Sequence, residues 1–136
     1  MTARTSLIAD LEDAVRRGSS ERRAETLRRI TDLFLGAADR FSAEQIALFD
    51  DVMGRLIDRI ETQALAELSR RIGPVANAPE GVVRQLARND AIAVAGPVLV
   101  QSARLGEADL VEIAASKSQA HLLAIALGLA SRLRNM

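Results

Sequence analysis

Residues 81–130 read GVVRQLARNDAIAVAGPVLVQSARLGEADLVEIAASKSQAHLLAIALGLA, and they say nearly the same thing twice. With Leu86-Ala87 set against Ile113-Ala114, an offset of about 27 residues, Val83 meets Leu110, Ala95 meets Leu122, Val98 meets Ile125 and Leu99 meets Ala126. Each copy reads as a short helix, a polar turn and a second short helix, the turns being Arg88-Asn89-Asp90 and Ser116-Lys117-Ser118. A repeat of this period marks a stack of helix pairs in which each unit covers its neighbour's apolar face. Leu86 and Ile113 are therefore expected in the core.

The rest of the composition agrees with helices. Hydrophobic residues make up 49% of the 136 positions but aromatics only 2%, all of them Phe, so the core must be built from Leu, Ile, Val and Ala. Three prolines and eight glycines are too few to punctuate a fold of many short strands. Formal net charge is zero, with 18 basic and 18 acidic residues, which removes any whole-chain attraction to DNA or anionic lipid. Cysteine is absent, which rules out disulfides and thiolate chemistry. Met1-Thr2-Ala3-Arg4 runs straight into Asp10, Glu12 and Asp13 without an uncharged core, so no signal peptide is expected. No apolar run approaches the ~20 residues of a membrane helix. A cytoplasmic bacterial protein is the expectation.

Upstream of the repeats the periodicity predicts three helices. The first carries Leu7, Leu11, Ala14 and Val15 on one stripe and stops at Gly18, a natural left-handed terminus. Ser19 or Ser20 caps the second, whose stripe is Leu27, Ile30, Phe34, Ala37 and Phe41. Ser42-Ala43-Glu44-Gln45 matches a capping box and opens the third, with Ile46, Phe49, Met53, Leu56 and Ile60 in line. The register slips after Ile60, predicting a bend or a junction near Glu61-Thr62. Gly73-Pro74 ends that run, and Val75 to Pro79 connects residues 1–73, a helical N-terminal part, to the repeats at 79–136. The connector is short and apolar, so both parts are expected to share one core. Pro97 implies a kinked helix or one that begins there.

Little in the chain carries chemistry. His121 is the only histidine, so a zinc site lacks its second imidazole, and the residue reads as a polar edge between the repeats. The acids of the third helix, Glu44, Asp50, Asp51, Asp58 and Glu61, have no Glu-x-x-His partner of the kind di-iron bundles use, and read as a solvated face. Gly54, Gly73 and Gly81 are isolated and form no phosphate loop. Arg16, Arg17, Arg22, Arg23, Arg28 and Arg29 form the densest basic segment, but residues 1–40 carry eight arginines against seven acids and no aromatic interleaving for base stacking.

The segment from Val83 to Ala126, above all Leu86-Ala87-Arg88-Asn89 and Ser118-Gln119-Ala120-His121-Leu122-Leu123-Ala124-Ile125-Ala126, resembles a family of uncharacterised alphaproteobacterial proteins with short HEAT-like helical repeats. Phe41-Ser42, Glu44-Gln45 and Phe49-Asp50-Asp51 resemble its earlier region. The resemblance brings no catalytic motif. It implies an all-α fold: a helical N-terminal part followed by a short HEAT-like α-solenoid of antiparallel helix pairs. The family's members are longer, with further repeats. The last helix, Leu122 to Leu133, is apolar and has no polar capping unit after it.

The expected function is non-catalytic: a protein-interaction or scaffold module in bacterial signalling, with no cofactor and no metal, binding a protein partner and pairing as a homodimer. Arg22, Arg23, Arg29, Asp51, Arg55, Asp58 and His121 are the candidate interaction surface. The alternative is a nucleic-acid-binding helical-repeat protein that uses the N-terminal arginines, and the charge compensation argues against it.

Overall fold

Side chains close the first free amides at several helix starts. The Ser19 hydroxyl accepts from the Arg22 amide at 3.2 Å. Ser42 and Gln45 exchange hydrogen bonds at 3.2 and 2.8 Å, the capping box read from the sequence. Such caps satisfy donors that have no partner inside the helix. In order, the elements are α1 (Ala3–Arg17), α2 (Ser20–Gly36), a 3-10 turn (Ala38–Arg40), α3 (Ala43–Ile57), α4 (Thr62–Ile72), α5 (Glu80–Ala87), α6 (Ile92–Gln101), α7 (Glu107–Ser116) and α8 (Gln119–Arg134). Further along, both carboxylate oxygens of Asp50 accept from the first amides of α5, Gly81 at 3.2 Å and Val82 at 2.8 Å.

This computed structural model describes residues 3–134, apart from the side chains of residues 3–8 and 10. Met1, Thr2, Asn135 and Met136, and the side-chain positions expected for Leu7 and Asp10, lie outside the described residues. Within that range the protein is all-helical and has no strand.

Three local expectations are corrected. Gly18 does follow α1, but no described glycine takes a positive φ; its amide donates to the Ala14 carbonyl at 3.0 Å, continuing the helical bonding. Helix α2 ends at Gly36, so Ala37 and Phe41 fall beyond it, Ala37 before the 3-10 turn and Phe41 after that turn has redirected the chain. Helix α3 ends at Ile57, and the slip after Ile60 is a true junction between two helices. Arg59 makes it, with φ 68°, the only described non-glycine residue in the left-handed region. That conformation costs about 1–2 kcal/mol for an L-residue, offset here by burying Ile60 in the core. Pro97 lies inside α6, which starts five residues earlier at Ile92 and continues through it. The carbonyl that proline leaves unbonded belongs to the exposed Ala93, where water can serve it.

The three phenylalanines gather into one cluster, Phe34 against Phe41 at 5.9 Å between ring centres, Phe34 against Phe49 at 5.3 Å and Phe41 against Phe49 at 5.0 Å. They join the end of α2 to the start of α3. Elsewhere the core is aliphatic, as composition required. Helix α2 packs on α4, α4 on α6 and α6 on α8; on the other side α1 packs on α3 and α3 on α5. Leu86 and Ile113, the anchors of the sequence alignment, are 1% and 0% exposed. The units start in register as well: α5 and α7 begin at Glu80 and Glu107, α6 and α8 at Ile92 and Gln119. Backbone approaches closely where glycine permits it. A side chain on Gly73 would press on the Pro97 carbonyl of α6 at 3.1 Å, and one on Gly128 would collide with the Leu99 carbonyl.

Candidate functional site

His121 sits on the first turn of α8 and is 1% exposed. Its Nε2 lies 2.8 Å from the Asn89 carbonyl, in the turn between α5 and α6, and since a carbonyl only accepts, Nε2 carries the proton. Nδ1 lies 2.6 Å from the Ser118 hydroxyl. That hydroxyl also accepts from the His121 amide at 3.3 Å, so the imidazole is fixed at both nitrogens. Beside it Lys117 reaches Asp90 at 2.6 Å, and this hydrogen bond holds the Asp90 carboxyl below its ordinary range. Asp90 and Lys117 occupy the same place in the two aligned copies, so the turns meet position against position. His121 was expected both at a polar edge between the repeats and on the candidate interaction surface; the structure puts it at the edge, 1% exposed, with its ring consumed in joining two turns.

A charged ladder continues the junction along α5 and α7. Arg88 contacts Asp109 at 2.9 Å and Glu112 at 3.2 Å, and Arg84 contacts Asp109 at 3.3 Å. Asp109 also accepts from the Gly106 amide at 3.1 Å. The Arg88 hydrogen bond leads the causes that hold the Asp109 carboxyl low, and the bonds to Glu112 and then Asp109 raise the Arg88 guanidinium.

Arg23 is the second buried member of that expected surface. It is 5% exposed, and its guanidinium is spent on four backbone carbonyls: Ala14 at 3.2 Å, Val15 at 3.1 Å, Arg55 at 2.5 Å and Asp58 at 2.8 Å. All four lie at or beyond the C-terminal turns of α1 and α3, where the helix dipole favours a cation. Arg23, Arg55 and Asp58 are thus brought together through the main chain of the last two. The remaining residues of the expected surface scatter. Arg22 pairs with Asp13 at 2.7 Å and Asp51 with Arg55 at 3.2 Å, while Arg29 is exposed on α2. Of the other N-terminal arginines, Arg28 faces Glu67 at 3.5 Å. Among the described residues no group of three or more His, Cys, Asp or Glu is placed to hold a metal ion. An open groove of about 350 Å³ between α2 and α4, lined by Glu21, Ala24, Arg28, Glu61 and Glu67, is polar and has no buried group aimed into it.

The feature that stands out is apolar. Helix α8 exposes Leu122, Leu123, Leu127, Leu129 and Leu133 at 39%, 62%, 51%, 45% and 70%. No charged residue interrupts positions 118–131. These leucines are absent from the interaction surface expected from the sequence, which was drawn from charged residues and His121. Their signal was the unrelieved apolarity of the last helix.

Residues 94–127, from within α6 to within α8, are similar to a family described as uncharacterised proteins conserved in bacteria (DUF2336). The match takes in most of α6, all of α7, the first half of α8 and Lys117 of the second turn, and it leaves out Asp90. No curated protein and no solved structure matches the chain. No described helix is long and apolar enough to cross a membrane.

Proposed function

We propose that the chain is a non-catalytic helical-repeat module for protein interaction or scaffolding in the bacterial cytoplasm, serving signalling. In this reading α5–α6 and α7–α8 are two HEAT-like units of a short α-solenoid, and the N-terminal helices share its core. One observation carries the reading: the two turns lie against each other with equivalent positions paired, Asp90 on Lys117, while α6 is covered on one side by α4 and on the other by α8. Translation of one unit onto the next produces that pattern, and such stacks present continuous surface to partners. The side chain best suited to acid–base work, His121, is occupied in holding the stack.

The test is affinity capture from the native cytoplasm with the tagged chain, followed by identification of what is retained. Stoichiometric retention of one other protein is expected. Recovery of no stoichiometric partner sinks the reading. A complex with DNA or RNA that weakens steeply with salt would replace it by the nucleic-acid alternative.

A further inference from the structure

Helix α6 is covered on both sides, and α8 on one. Ala95 and Leu99 of α6 are 0% and 1% exposed, and the Leu99 carbonyl touches α8 at Gly128. The positions aligned with them on α8 are Leu122 and Ala126, and both are exposed. Around them Leu123, Leu127, Leu129 and Leu133 extend the face along the helix. The face through which α6 receives α8 is therefore present again on α8, with no described residue packed on it.

We infer that this face receives a second copy of the chain, α8 against α8 about a two-fold axis. Three observations select that occupant. The exposed leucine area is on the order of 500–600 Å² per chain, at the upper limit for a patch left bare on a monomer and approaching the ~800 Å² per partner of a standard interface. The other end of the even-numbered row is unlike it: α2 exposes Glu21, Arg22, Glu25, Arg28, Arg29 and Asp32 beside one large apolar side chain, Leu33. Head-to-tail stacking would strand those charges against leucine, at a desolvation cost. Face-to-face pairing instead buries leucine on leucine and closes on itself, as a two-fold contact does. A two-fold axis crossing α8 also sets the helices antiparallel, with their dipoles opposed.

The inference rests on the repeat-module reading and deepens it. Light scattering behind size exclusion at tens of micromolar is expected to give twice the 14.6 kDa chain mass. Leu123→Glu with Leu127→Glu should return the mass to 14.6 kDa with unchanged helical circular dichroism, since both side chains are more than half exposed. Leu133→Glu, at the helix end, is the second variant should the pair fail to fold. Leu48→Glu, on an equally exposed leucine of α3, should leave the dimer intact. A monomeric wild-type chain, or a dimer indifferent to the α8 charges, overturns the inference and leaves the face to an amphipathic helix of another protein. The two readings fail separately: a monomer that still retains a stoichiometric partner sinks only the pairing, and a dimer that retains none sinks only the module.

Discussion

The Arg23 joint and the His121 joint solve one problem in two ways. Each ties separate helices together by carrying a buried polar side chain to backbone carbonyls. At the N-terminal joint one long side chain from α2 spans to the Ala14 and Val15 carbonyls of α1 and to those of Arg55 and Asp58 at the end of α3. At the C-terminal joint the units are related by the sequence repeat. Equivalent turns already lie together, and short reaches suffice: His121 to Asn89 and Lys117 to Asp90. Repetition replaces reach.

That contrast can be broken by measurement. Arg23→Ala removes a donor from four carbonyls, of which Ala14 keeps the Gly18 amide, and is expected to cost about 3–5 kcal/mol in chemical denaturation; a loss below about 1 kcal/mol would mean that water serves those carbonyls equally well. Leu86→Ala and Ile113→Ala should each cost about 2–5 kcal/mol and, if the units are equivalent, similar amounts; a thermal-melt shift near zero for either contradicts its burial. His121→Ala should cost less than the Arg23 change, about 1–3 kcal/mol, because it takes a donor from one carbonyl rather than several. Equal losses at the two joints would erase the distinction.

Acid sharpens the comparison further. The folded-state Asp109 carboxyl titrates below its unfolded value, so it contributes stability above the ordinary aspartate range that is lost as pH falls through the folded pKa. Melts at about pH 5 and about pH 3 should therefore fall more steeply for the wild type than for Asp109→Asn; identical slopes would show that the ladder on α5 and α7 is idle. The smallest effect carries the opposite sign. The Ser69 hydroxyl is fully buried without a hydrogen-bond partner, so Ser69→Ala should stabilise by about 1 kcal/mol. Destabilisation would reveal a bond that the resting geometry lacks.

What could be read from the sequence was local or periodic. The capping box at Ser42 and Gln45 spans one helical turn, and the junction near Glu61-Thr62 showed as a break in the spacing of apolar residues. The burial of Leu86 and Ile113 followed from the repeat. The burial of Arg23 and the bonding of His121 went unread for a common reason. Their partners are carbonyls, which every residue possesses, so distant bonding to Asp58 or Asn89 leaves no mark on side-chain identity. The phenylalanine cluster was equally hidden, since it depends on the 3-10 turn that folds Phe41 back toward Phe34. The leucine face of α8 could be read as apolarity, but charged residues look more like recognition than leucines do.

Lys117 carries the only ε-amine in the chain, and it is the amine that straps the two turns together. Any amine-selective label that finds a side chain of this protein has one destination, and attaching it there removes the charge that Asp90 opposes. A single fluorophore or acyl group would thus report on, and loosen, the seam between consecutive units, with no mutagenesis required.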